Sequence, residues 1–184
     1  MSKLYIIGKV ITLPGAYLKA FWEHLIYKIL RIPVDSNAYL NFDEGLGHVE
    51  HALTHSIFRL FFANFLPGLF NFVLGLPMFA AGVLGLAYLG VEPVIRETGA
   101  KTWIFYVYLA LLYFGFSLLG NIFPLLEDAL LLKERAFDRG KEVGKPTKIF
   151  LALPTSFMLI GAYLEQYVLN LLVLILLFLL VFIF

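Results

Sequence analysis

Apolar residues run through this chain in long stretches, broken by short polar islands. Residues 4–13 are apolar and rich in β-branched side chains, and they end at Pro14-Gly15. Over 16–31 the pattern becomes amphipathic. Tyr17, Leu18, Phe21, Trp22, Leu25, Ile26, Ile29 and Leu30 share one side, and Lys19, Glu23, His24, Lys28 and Arg31 share the other. That spacing predicts a helix lying in a membrane headgroup region with its polar side to water. Ile32-Pro33 ends it, and Asp35-Ser36-Asn37 reads as a turn. A second helix is expected from Asn41, where Asn41 and Glu44 have capping-box spacing, through 57–65 to Pro67-Gly68. Residues 69–90 form an apolar, Gly-rich stretch with a break at Gly75-Leu76-Pro77, and 91–102 a polar connection. Trp103 to Phe123 is the cleanest spanning helix, with an aromatic start suited to a membrane interface. The tail 149–184 would be about 54 Å long as one helix, against a hydrocarbon core of roughly 30 Å. The pattern therefore predicts an interfacial or re-entrant piece over 149–164 and a spanning helix over 167–184.

These elements give an all-α fold, a polytopic integral membrane protein with about three to four spanning helices plus amphipathic interfacial or re-entrant ones. The chain reads as one membrane domain, 1–184. It divides into an interfacial segment 1–40, a core 41–128 with the His and acid motifs, a basic loop 129–148 and a C-terminal membrane segment 149–184. Composition agrees: 61% of residues are hydrophobic and 15% charged, where soluble domains have about 45–50% and about 25%. The loop's basic excess (Lys133, Arg135, Arg139, Lys141, Lys145, Lys148 against three acids) places it on the cytoplasmic side. The Lys and Arg residues of 1–45 place that segment there too, so either one of the apolar stretches 46–66, 69–90 and 103–123 does not cross or the charge rule fails here. The expected setting is a prokaryotic cytoplasmic membrane, without a cleavable signal, because Lys9, Lys19 and Glu23 interrupt any hydrophobic leader.

Charge and cysteine content narrow the chemistry. The net charge of +1 gives no field for nucleic acid. With no cysteine there is neither a disulfide nor a thiolate metal site. No G-x-S-x-G, phosphate-binding or dinucleotide fingerprint occurs. The expected partners are the lipid bilayer and a membrane protein or peptide substrate. Gly75, Gly82 and Gly85 permit close helix approach, and a homo-oligomer is open.

One constellation stands out. At about 100° per residue, Glu44, His48, His51 and His55 fall within an arc of about 60° on the second helix, and Arg59 continues the row. Imidazoles and a carboxylate stacked in a low-dielectric setting need a shared partner, and a divalent metal serves. His51 and His55 have the i, i+4 spacing that gives one zinc ion two nitrogens, and His48 and His51 are a second pair. The alternative is a row of neutral, mutually hydrogen-bonded histidines. Glu44 reads equally as a helix cap. Further ligands are expected from Asp128 and Glu127, which otherwise read as an interfacial acidic pair fronting Lys133. Asn121 and Pro124 precede them at a helix break, where freed backbone groups would face a substrate.

The set His51-Ala52-Leu53-Thr54-His55, followed by Asn121, Pro124 and Asp128, resembles the intramembrane zinc metalloproteases of the site-2 type. Those enzymes carry HExxH on one membrane helix and a later Asn-Pro-Asp motif that supplies the third ligand. The resemblance spans about 44–130. It implies zinc as the cofactor on His51, His55 and Asp128, and a hydrolase acting on membrane peptides. Ala52 stands where the family has its catalytic Glu, the second motif is one residue short, and Ala129 replaces a Gly. The base must then come from Glu50 or Glu44, or be missing. Two other functions remain beside it: a non-catalytic protein binding or passing a divalent cation, and a structural protein in which the histidines form a packing seam.

Overall fold

The computed structural model describes residues 3–35, 39, 48–52, 54, 56–89, 100–138 and 144–183. Among them the regular elements are helices, with one isolated antiparallel bridge between Val34 and His51. Helix α1 (Lys3–Ile11) and helix α2 (Leu13–Leu30) meet at Thr12 with a bend of 90°. Pro14 sits in the first turn of α2, where its missing N–H leaves no hydrogen bond unmade. Thr12 Oγ1 turns back to donate to the Gly8 carbonyl at 2.9 Å. Arg31 closes α2 in the left-handed conformation, with φ 56°.

Helix α2 keeps part of the expected orientation, with Ile26 buried and Lys28 and Arg31 exposed, and departs from it in the middle. Its Lys19 and Glu23 are buried, while Phe21, Leu25 and Ile29 face outward. The expectation of a polar side in water is corrected for these two residues, because the interior offers them partners and the outside does not. The same inversion runs through the described residues. Lys9, Asn64, Asn71, Asn121 and Glu165 are buried, whereas Ile149, Leu153 and Ile160 are mostly exposed. Soluble folds do the opposite.

Helix α3 (Ile57–Leu89, 33 residues) starts far later than Asn41 and runs unbroken through Pro67 and Pro77. Two expectations fail here. Residues 48–52 are extended because Ala52 N–H donates to the Pro33 carbonyl at 2.9 Å and Asp35 N–H to the Glu50 carbonyl at 3.0 Å, flanking the Val34–His51 bridge. The prolines do not stop α3, since each removes one hydrogen bond and neighbouring helices support the backbone around it. Helix α4 (Ala100–Leu119) packs antiparallel along α3 in the most extensive helix contact of the fold. Its axis comes so close that a Cβ on Gly82 would lie 2.5 Å from the Leu112 nitrogen.

Beyond α4, the short helix α5 (Leu126–Lys133) passes into a π-helical turn at Glu134–Asp138. The expected charged loop is thus partly helical. Helix α6 (Lys145–Gln166) and helix α7 (Leu169–Ile183) follow, separated at Tyr167-Val168. The tail does break where the Glu165-Gln166-Tyr167 island predicts. The first piece, however, is long and apolar enough to cross a membrane, as is α3, and the bent α1–α2 pair would be a third such span. Apolar clusters fix the frame around the site. Leu60, Phe61, Leu132, Leu151 and Met158 join α3, α5 and α6. Ala20, Tyr27, Ile32, Val49 and Ala63 join α2, the extended segment and α3.

Candidate metal centre

The extended segment 48–52 is pinned from several sides, and this pinning sets the site. One oxygen of Glu23, on the buried face of α2, accepts the Val49 N–H at 2.9 Å and lies 3.0 Å from His48 Nδ1. Lys19, one turn earlier, lies 3.8 Å from the other Glu23 oxygen and donates to the Phe123 carbonyl. Arg135, from the π-helical turn, donates to the Thr54 carbonyl. The His51 ring packs on the Tyr27 ring, with centroids 4.6 Å apart. From the far side, Asn64 on α3 donates to the Asp128 carbonyl at 3.2 Å and so holds the first turn of α5 against the cluster.

The result is a convergence of His48, His51 and Asp128. One ligand-capable atom from each lies within 4.8 Å of the others, and the three residues are all largely shielded. His48 Nε2 stands 3.6 Å from Asp128 Oδ2, within ion-pair reach but too long for a hydrogen bond between side chains. Two ligands on one tetrahedral zinc ion, each about 2.1 Å from it, would be about 3.4 Å apart. His51 Nε2 is buried and lacks a hydrogen-bond partner. Other buried atoms in the described residues share that condition, Asn71 Oδ1 among them. His51 alone in that set also belongs to a cluster of potential ligands.

The electrostatics favour a cation at this point. Burial disfavours the His48 imidazolium, but the Glu23 carboxylate outweighs it by charge and by hydrogen bonding, with Asp128 adding to it, and the imidazole is held above its ordinary value. Burial likewise pushes the Asp128 carboxyl up, against the pull of the His48 and His51 rings. With Glu23 accepting from Nδ1–H, the Nε2 lone pair of His48 points at the gap, which is the arrangement of a carboxylate behind a metal-bound histidine.

The other expected residues divide. Glu44 and His55 lie outside the described residues. Among the described ones, the helical row is corrected: His48 and His51 sit on an extended segment, and it is chain pinning rather than helix periodicity that brings them together. Glu50 is exposed, and its carbonyl holds Asp35. Glu127 is also exposed, one residue around α5 from Asp128. The Asn121 side chain is engaged within the protein. Its Oδ1 accepts from Lys9 at 2.6 Å, and its Nδ2 donates to the Thr12 and Ser117 carbonyls at 3.2 and 2.8 Å. Pro124 is buried and lines a cavity of about 120 Å³ with Tyr5, Glu127 and Glu165. Sequence reasoning missed Glu23 and Lys19 as members of the site. Their signal was present, as an i, i+4 acid–base pair in an otherwise apolar helix that the burial of small neighbours such as Ala16 and Ala20 draws inward.

Set against protein families, curated proteins and solved structures, the chain has no match in any of the three comparisons.

Proposed function

We propose that this chain is an integral membrane protein that binds one divalent cation, zinc by the character of its ligands, at His48, His51 and Asp128, and uses it in hydrolysis. The observation that carries the metal reading is the trio itself: two imidazoles and a carboxylate drawn from an extended segment and a separate helix, with ligand-capable atoms within 4.8 Å of one another. The membrane reading rests on α3 and α6, long and apolar enough to cross, and on the inverted distribution of buried polar and exposed apolar side chains. Ionisable groups buried beside such helices are rare and mark function.

Among the described residues the trio supplies three ligands, and a zinc ion held by three protein ligands keeps its fourth position for water or substrate, as catalytic sites do. Bound there, zinc would lower the pKa of its water toward about 7 and polarise a carbonyl. The chain's own part is to orient His48 through Glu23, to back His51 with the Tyr27 ring, and to supply a proton acceptor. Glu50, beside His51 in the chain, and Glu44 are the candidates for that acceptor. The hydrolytic step extends the resemblance to the site-2 proteases, with His48 taking a ligand position that the resemblance gave to His55.

Elemental analysis of the detergent-purified protein tests the reading. We expect about one zinc per chain, and less than about a tenth of that in His51→Ala and in Asp128→Asn, the loss that removing a ligand entails. Glu50→Gln should keep zinc and lose turnover. A wild-type protein free of divalent metal after purification without chelators, and unable to take up added zinc, would refute it.

A further inference from the structure

An apolar cavity of about 290 Å³ lies between α3 and α6, walled by Phe65, Leu69, Phe72, Phe123, Phe157 and Met158, with Asn64 at one end. Its size falls just below the usual range of small-molecule sites, about 300–1,000 Å³. Two of its wall residues are bonded into the metal cluster. Asn64 holds the Asp128 carbonyl, and the Phe123 carbonyl takes the Lys19 ammonium that faces Glu23. The cavity is therefore apolar along its length, and its polar end is the end joined to the candidate metal centre. Leu69, Phe72 and Phe157 also reach the outer surface, which on these helices is apolar. The cavity thus continues the surface that faces lipid in the membrane reading.

From this we infer that the cavity takes the acyl chain of a membrane lipid, and that the substrate class of the zinc site is an acyl lipid rather than a peptide. The inference rests on the metal and membrane readings above. What selects lipid is the lining. A peptide entering this slot would bring a buried N–H and C=O at every residue, each needing a partner. The walls present almost no polar surface, and the amide nitrogen of Asn64 is already engaged with Asp128. An acyl chain brings no such groups, and burying it gains about 0.8 kcal/mol for each CH₂. Its ester would then lie at the Asn64 end. Hydrolysis there breaks the acyl C–O bond, places the oxygen of water on the carbonyl carbon, and yields the free acid and the alcohol, whose hydroxyl hydrogen comes from that water.

The test uses the full chain in phosphatidylcholine vesicles containing a trace of phosphatidylcholine with a diazirine in one acyl chain, with the photolabel mapped by mass spectrometry. We expect label on Phe65, Leu69, Phe72 and Phe157 at about fivefold or more the level per residue on the lipid-facing helix α7, a ratio worth roughly 1 kcal/mol of preference. Leu69→Trp, which fills the cavity, should remove that excess, and Leu176→Trp on α7 should not. If Leu69→Trp fails to fold, the wild-type map alone decides. Label spread evenly over α3, α6 and α7 overturns the inference. So does a hydrophobic peptide with the same diazirine labelling the cavity in place of lipid. Zinc measured on the same samples separates the two claims. Cavity labelling without zinc removes the metal reading and with it the substrate assignment, while zinc with even labelling removes only the acyl slot. His51→Ala should lose zinc and keep the label.

Discussion

Two buried charged clusters sit in this molecule, and they differ in whether they are closed. The first joins α1, α6 and the turn after α4. Lys9 Nζ bonds Glu165 Oε1 at 2.5 Å and Asn121 Oδ1 at 2.6 Å, and lies over the Tyr5 ring. The second Glu165 oxygen accepts the Phe123 N–H at 3.1 Å, and the Asn121 amide nitrogen is taken by two carbonyls. Each of these polar side chains has its partners within the protein. The second cluster holds Lys19, Glu23, His48, His51 and Asp128. It is well bonded on the Lys19–Glu23–His48 side and looser on the other, where His51 Nε2 has no hydrogen-bond partner and His48 and Asp128 lie 3.6 Å apart, within ion-pair reach but beyond a hydrogen bond. A closed network of charges joins helices. The second, less deeply buried, leaves one imidazole nitrogen unbonded, and that difference is what singles it out as the candidate site.

The largest effect should come from breaking the closed cluster. Lys9→Met leaves Glu165 buried without its countercharge and should cost about 3–5 kcal/mol of stability, read as a lower thermal midpoint in detergent, while the zinc content of the folded fraction stays unchanged. Adding Glu165→Leu should recover much of the loss. A single variant as stable as the wild type would show that the pair is not a staple. In the open cluster, Glu23→Gln should leave the fold in place and weaken zinc about 10–100-fold, by loosening His48, measured by competition with a chelator. An unchanged affinity would mean that Glu23 does not act through His48. The smallest effect is expected at the join between cluster and cavity. Asn64→Ala removes one hydrogen bond to Asp128 and should cost about 1 kcal/mol, with a modest loss of zinc affinity, and a chemical denaturation series read against zinc content checks both.

Glycine contacts bear on the same comparison, because they bring the segments of both clusters to one depth. A Cβ on Gly68 would lie 1.7 Å from the Ile122 carbonyl oxygen. That contact seats the turn carrying Asn121 and Phe123 against the middle of α3, between the closed cluster and the open one. The proline before it suggested a helix end at this place. The structure uses the pair differently, for close approach inside a continuous helix.

The sequence by itself determined that the chain is helical and that it holds segments apolar enough to cross a membrane, because run length and composition are local properties. It also marked His48, His51 and Asp128 as residues with unusual chemistry, since ionisable groups are rare in such a chain and costly to bury alone. It assigned the wrong local geometry to the histidines. Periodicity at 44–55 matched a helix, but backbone pairing with residues 33–35 draws 48–52 into extended form, and no local propensity encodes a partner so far along the chain. Tertiary structure alone decided that α2 turns Lys19 and Glu23 inward, that Asn121 bonds Lys9, and that an acid on α5 meets two imidazoles on the extended segment. Each of these is settled by which distant group is available to satisfy a buried charge, and that is fixed only when the helices have packed.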